Sequence, residues 1–306
     1  MMENTQTKIE KPLVSLVITT KNEEKNVEAV MQSIKAQTYR SIETILVDNG
    51  STDQTKKLAR KYTDKVYDKG PERSAQRNFG MIEKAKGKYV MFIDCDMLLS
   101  PHLIENCVRF IAKHNFIALH IPEIVLGKTF WSKVRRFERS FYDGTVIDGA
   151  RFFLRDKFIE VGGFDESMSG PEDWDIDKKV KRIGQIGLLR EKDQSFDWAL
   201  KKFIFDRGVD PVKYNSAIYH NESEFDLKKY LDKKGYYAQS FDSYVNKWGK
   251  SDPDIQKQFG ILYRFLIVFF ERGKLLKALP HPCLFFGMFY LRFLVGLRYL
   301  TDKSKV

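Results

Sequence analysis

Residues 88–101 read KYVMFIDCDMLLSP. The apolar run Val90–Ile93 has the composition of a strand and delivers two carboxylates, Asp94 and Asp96, to its C-terminal end. Ser100 followed by Pro101 predicts a helix start, with Ser as the cap and Pro in the first turn. In an open α/β sheet, ligands bind in the crevice beyond the carboxyl ends of the strands. Two carboxylates there, one residue apart, suit a hard divalent cation that takes oxygen ligands and shares its other positions with phosphate. The same pattern also fits a polar loop, so its meaning depends on what surrounds it. Cys95 alternates to the opposite face of the strand and is expected to pack rather than to bind metal.

Upstream, the chain alternates strand and helix. Leu13–Thr20 is an expected strand, followed by a helix opening at Asn22-Glu23-Glu24 and running to about Gln37. Its apolar residues Val27, Val30, Met31 and Ile34 recur at helical spacing. Ile42–Asp48 is the second strand, and Asn49-Gly50-Ser51 a turn. Thr52 and Asp53 then cap a helix to about Tyr62. Val66–Tyr67 is a short strand, and Pro71-Glu72 begins a helix carrying Arg73, Arg77 and Asn78 as far as Gly87. This rhythm predicts an α/β domain with a mostly parallel, Rossmann-like sheet flanked by helices. No G-x-G-x-x-G or Walker loop is present, so those phosphate-binding modes are not indicated.

Beyond residue 116 the rhythm breaks. Phe116–Pro122, Ala150–Leu154 and Ala217–Tyr219 read as strands, the last running into His220-Asn221-Glu222. Lys128–Tyr142 fits a mobile loop or a short helix. Gly162–Glu166 (GGFDE) is a turn, Glu172–Ile183 a helix, and Gln194–Gly208 a helical stretch. Asp226–Trp248 reads as one long helix. Three regions follow: a polar tail (1–12), a catalytic domain (13–225, halves 13–115 and 116–225), and a helical C-terminal region (226–306).

Composition fits a folded domain, with 43% hydrophobic and 30% charged residues. The net charge of +11 is concentrated late, where residues 257–306 hold nine Lys/Arg against Glu271 and Asp302. Basic residues mixed with the apolar runs Phe259–Phe270 and Cys283–Leu300 favour an anionic lipid surface over nucleic acid. The second run is long enough to span a bilayer, but Arg292 and Arg298 interrupt it, which favours an interfacial or re-entrant helix. Three widely spaced cysteines imply a reducing compartment. The N-terminus has no apolar core of a secretory signal. The sequons at Asn49 and Asn221 are therefore expected to be chance matches.

Five features occur in one order: a strand ending at Thr20-Lys21-Asn22-Glu23, VDNGSTD at 47–53, an Arg-Asn pair in the following helix, DCD at 94–96, and GGFDE…EDWD at 162–175. Together they resemble the inverting, nucleotide-sugar-dependent glycosyltransferases of family 2, which have the GT-A fold. The resemblance implies that Thr20, Glu23 and Asp48 bind the nucleotide, with Asp48 accepting a base N–H, and that Arg77 faces the donor. It implies that Asp94 contacts ribose or metal and that Asp96 ligates Mn²⁺ or Mg²⁺ bridging the diphosphate, with His220 a further candidate ligand. Asp173 becomes the catalytic base, with Glu172, Trp174 and Asp165 on the acceptor side. Asn22 and Asp53 are expected to act as caps.

The Gln-x-x-Arg-Trp motif of processive synthases is missing, which favours transfer of one sugar. The expected activity is metal-dependent transfer from a nucleotide-diphosphate sugar to a lipid-linked or cell-surface glycan acceptor. Its expected place is the cytoplasmic face of the membrane, peripheral or monotopic, with an oligomer possible. Two other classes compete: a nucleotidyltransferase, which would want a Gly-rich basic signature where TTKNEEKN stands, and a non-catalytic sugar- or lipid-binding relative.

Overall fold

The computed structural model describes residues 11–193, 199–211, 216–277 and 279–303. Most of the polar tail and residues 194–198 of the expected helical stretch lie outside them. The described strands are β1 (Val14–Thr20), β2 (Ile42–Asp48), β3 (Val66–Asp68), β4 (Tyr89–Asp94), β5 (Met97–Leu99), β6 (Ala118–His120), β7 (Glu123–Leu126), β8 (Ala150–Leu154), β9 (Ile186–Leu188) and β10 (Ile218–Asn221). Seven form one sheet in the order β3-β2-β1-β4-β8-β6-β9, and β5-β10-β7 form a second. Strands β3, β2, β1 and β4 run parallel, while β8 opposes both β4 and β6. The sheet is thus mostly parallel, as expected.

The opening stretch occupies the middle of this sheet because both its faces are apolar. Tyr89, Met91 and Ile93 of β4 join one core, with α1 (Val27–Lys35) and α4 (Leu103–His114), while Val90 and Phe92 join the other. A two-sided strand of this kind reads as a continuous apolar run. Cys95 is buried in the first core, on the side away from the acids.

Other helices are α2 (Thr55–Ala59), α3 (Arg73–Asn78), α5 (Phe130–Arg139), α6 (Arg155–Glu160), α7 (Glu172–Lys181), α8 (Lys201–Phe205), α9 (Leu227–Ala238), α10 (Phe241–Trp248), α11 (Pro253–Phe259), α12 (Val268–Phe270) and α13 (Pro282–Lys303). Four expectations are corrected. The first helix starts at Val27 because Asn22 takes a left-handed φ of 54° and pairs with the loop after β2. Ser100 does not cap a helix; its backbone N–H and hydroxyl pair with Ala217, extending the β5–β10 ladder. The helix after Pro71 widens into a π-turn at Phe79–Lys84, where Gly80 lies against Val17 so closely that a Cβ would sit 2.4 Å from it. The long helix 226–248 is broken at Ser240, whose hydroxyl accepts the Ser169 N–H and turns the chain onto the loop before α7. Lys128–Tyr142 resolves as α5.

The C-terminal elements are built into the domain. Tyr263, Phe269, Met288 and Leu291 share a core with Val134, Phe137 and Phe141 around α5. By length and composition, Pro282–Thr301 is apolar enough to cross a membrane. Its arginines face protein instead. Arg292 is buried against Glu138 (Nε to Oε1, 3.0 Å) and the Tyr142 hydroxyl (2.7 Å), and Arg298 meets Asp232 at 3.2 Å.

Candidate active site

The carboxyl ends of β1, β2 and β4 meet α3 and α7 around one guanidinium. Arg77 is 1% exposed and lies 4.2 Å from the centre of the Phe92 ring. Its Nη2 reaches Asp94 Oδ1 at 3.1 Å, and its Nη1 reaches Asp173 Oδ1 at 3.0 Å and Glu172 Oε1 at 3.6 Å. Residues some eighty positions apart thus share one counter-ion. Thr19 Oγ1 donates to Asp94 at 2.9 Å. Arg73, one helical turn before Arg77, reaches Glu172 at 3.0 Å and Asp94 at 3.9 Å. Burial would raise the Asp94 carboxyl, but Arg77 and Arg73 outweigh it and hold it far below the ordinary range. These two arginines are therefore not an exposed helix face. Arg77, expected against the donor, sits beneath the carboxylates and orients them.

The two acids of α7 that meet Arg77 differ in access. The Glu172 side chain is 3% exposed and tied to Arg73, and burial with the adjacent Asp173 pushes its pKa up. Asp173 keeps 29% of its side chain exposed. It sits in the first turn of α7, where the helix dipole favours a carboxylate, and Arg77 holds one of its oxygens. A hydroxyl arriving from solvent can meet Asp173 but not Glu172.

The second sheet brings in β10. His220 pairs across from Met97, which sets its ring beside Asp96, with Nε2 to Oδ2 at 3.1 Å. On the other side, Nδ1 meets Glu123 Oε1 at 2.9 Å. Burial alone would lower the imidazole, but the two carboxylates outweigh it and hold it well above the ordinary histidine value. Asp96 Oδ1 is buried without a hydrogen-bond partner. Among the described residues no group of three or more His, Cys, Asp or Glu is arranged to hold a metal ion. Asp96 and His220 do converge as an oxygen and a nitrogen donor with one orphaned oxygen. That set fits a divalent cation whose remaining positions come from diphosphate and water. Asp94 is turned toward Arg77 and Thr19.

At the nucleotide end, Thr20 lies opposite Asp48 in the β1–β2 register, and Glu23 follows in the adjoining loop. Burial raises the Glu23 carboxyl and the charges of Asp96 and Asp94 add to it, against the hydrogen bond that Asn26 donates. Asp48, expected to accept a base N–H, is fully buried with both oxygens taken by Ser51, so it shapes the turn. Asp53 accepts the Thr55 N–H just ahead of α2, whose N-cap position is taken by Gln54 and not by Asp53 as expected.

Two acceptor-side expectations receive other tasks. Trp174 donates Nε1–H to the Ile147 carbonyl at 3.0 Å and packs on Phe241 and Phe259. It joins α7 to the C-terminal helices. Asp165 pairs with Lys247 of α10 at 2.7 Å and is lowered to about 2, burial opposing that pull. Asn78 braces the GGFDE turn by exchanging hydrogen bonds with both backbone groups of Phe164.

The sequence offered no signal for Glu123, Arg139 or Arg151 as neighbours; they stand on β7, α5 and β8. Glu123 Oε2 is 3.1 Å from both Arg139 and Arg151. Nor did it place α9 here, yet Arg73 lies 5.1 Å over the Tyr237 ring, and Tyr237 packs on Gly170 just before α7.

Residues 15–164 match the family model described as Glycosyl transferase family 2. An uncharacterised glycosyltransferase of Rickettsia typhi is 28% identical over 193 residues, covering 57% of this chain and 60% of the relative. The chain thus matches less than two thirds of that relative's length. Among solved structures, the mannosyltransferase PcManGT of Pyrobaculum calidifontis, in complex with GDP-Man and Mn²⁺, superposes with a TM-score of 0.57 at 18% identity. The superposition covers 97% of this chain and 87% of that one. TarS 1-349 of S. aureus gives a TM-score of 0.50 at 17% identity, covering 95% and 90%. At these identities the likeness carries the fold, GT-A, and nothing more.

Proposed function

Because this chain belongs to glycosyltransferase family 2, we propose that it transfers a single sugar, with inversion, from a nucleotide-diphosphate sugar to a lipid-linked or cell-surface glycan acceptor. The observation that carries the reading is the shared guanidinium of Arg77. It sets a solvent-accessible carboxylate, Asp173, across from the Asp-x-Asp end of β4. Asp173 accepts the acceptor hydroxyl's proton as that oxygen attacks the anomeric carbon and the nucleoside diphosphate departs. One displacement inverts the configuration.

The nucleoside lies at the β1 and β2 ends, bordered by Thr20, Glu23 and the turn held by Asp48. Asp96 and His220 would hold Mn²⁺ or Mg²⁺, while Asp94, turned toward Arg77 and Thr19, would border the ribose or the cation. When bound, the cation supplies Lewis-acid neutralisation of the departing diphosphate. That a mannosyltransferase of the same fold is seen in complex with GDP-Man and Mn²⁺ favours use of a divalent cation, without bearing on which residues hold it.

The test incubates the full chain with Mn²⁺ and a panel of UDP- and GDP-sugars, following nucleoside diphosphate release and the anomeric proton of the product by NMR. Release with an inverted product is expected. No release from any donor, or a product of retained configuration, would sink the proposal.

The membrane face is proposed from the C-terminal surface. Phe286, Tyr290, Phe293 and Leu297 are exposed on α13 at helical spacing, with Tyr290 at the edge where it stacks on Trp131 of α5, and Leu276 is 74% exposed. An aromatic and aliphatic face with basic residues nearby suits an anionic bilayer surface, with α13 lying in the interface. Three free cysteines fit the cytoplasmic side. Removing the tail would take Phe269 and Leu291 out of the core, so point changes are the better probe. Phe286→Glu with Phe293→Glu should abolish co-sedimentation with anionic-lipid vesicles and leave thermal unfolding unchanged. Undiminished co-sedimentation would count against this surface.

A further inference from the structure

Resting on the assignment of a divalent cation to Asp96 and His220, we infer that Glu123 is the positioning residue that makes His220 a ligand. Glu123 opens β7, which pairs in parallel with β10, so a carboxylate from one strand lies against a ring from its neighbour. Its Oε1 is 2.9 Å from His220 Nδ1. Its Oε2 is held by Arg139 and Arg151, each at 3.1 Å. A carboxylate saturated by two arginines can only accept, so Nδ1 carries the hydrogen toward Glu123. Nε2 is turned to Asp96, 3.1 Å away, and is the ring atom that would release its proton when a cation binds between them. Metal-binding histidines generally hand their second nitrogen to such an acceptor, which fixes the ring's orientation.

The arginines have a task of their own. Arg139 also pairs with Asp148 at 3.1 Å, which anchors it on the side away from the site. Arg151 stands over Phe92, the ring that also carries Arg77. Glu123 is therefore fixed at both oxygens, and the His220 ring inherits that rigidity. No element of the DCD strand supplies this; it comes from a segment with no recognisable motif.

The test is a double-substitution cycle on the full chain. The probe is Mn²⁺ in the presence of UDP or GDP, whichever the wild type binds more tightly, read as loss of the free Mn²⁺ EPR signal. His220→Ala and Glu123→Gln should each weaken Mn²⁺ binding by about 10- to 100-fold. The double variant should be no weaker than His220→Ala alone, because Glu123 acts through the ring. Should Glu123→Gln fail to fold, Glu123→Asp keeps a charge for the arginines while withdrawing the oxygen from Nδ1, and the same selective loss is expected. Full Mn²⁺ affinity in the folded Glu123 variants, or losses that multiply in the double variant, would overturn the inference. Unchanged affinity in His220→Ala would overturn the cation assignment itself, and this inference with it.

Discussion

Asp173→Asn is expected to lower sugar transfer by about 10²- to 10⁴-fold, the usual worth of a positioned general base. Donor binding should change little. The amide keeps the shape of the carboxylate and can still accept from Arg77 Nη1, so the ring of side chains around Arg77 stays closed. What it cannot do is take a proton. The comparison that checks this is turnover against nucleotide-sugar affinity measured by calorimetry on the same protein. Transfer at the wild-type rate would remove Asp173 as the base. A parallel collapse of donor affinity would mean that the residue shapes the donor pocket instead. Glu172 is a poor substitute: its side chain is almost closed to solvent and bound to Arg73.

Arg77→Met is expected to be the most damaging single change to stability, at about 3–5 kcal/mol by chemical denaturation, because it removes the buried cation that Asp94, Glu172 and Asp173 share and leaves Arg73 to pair with two of them. Methionine fills much of the volume over Phe92 but leaves Asp94, Glu172 and Asp173 facing one another. The sign of the pH dependence follows. In the wild type, the arginines hold Asp94 below its unfolded value. Its contribution is therefore present above the ordinary carboxylate range and is lost as pH falls through the folded value. In Arg77→Met the acids repel most when ionised, so the difference from wild type should be larger at pH 8 than at pH 4. A difference that does not shrink toward acid would mean that packing of the guanidinium on Phe92, not its charge, is what matters.

The parts of the site that were legible in the sequence are those carried by long regular elements. The apolar alternation of β4, the strand ahead of Thr20 and the acidic first turn of α7 each announce themselves within a dozen residues. Asp94 and Asp96 could accordingly be singled out and Cys95 assigned to packing, whereas Asp173 was singled out only through the resemblance to family 2. Residues whose surroundings the sequence did not show fall into two kinds. Some have side chains whose partners come from far along the chain. Arg77, expected at the donor, is enclosed once α7 folds over it, and Trp174, expected on the acceptor side, packs on Phe241 and Phe259. Others stand on elements too short to show periodicity. Strands β5 and β7, of three and four residues, carry no pattern, and Glu123 was invisible with them.

The sequence by itself determined the α/β order, the central strand and the carboxylates at its end, because burial on both faces of a parallel strand demands an unbroken apolar run and lets polar residues resume only where it stops. Tertiary structure alone decided what those carboxylates face. Pairing of β5, β7 and β10 put His220 and Glu123 beside Asp96, and the folding of α7 over α3 closed Asp94, Glu172 and Asp173 on Arg77. Charges this close are set by desolvation and by the counter-ion that three-dimensional packing supplies, neither of which is written in local spacing.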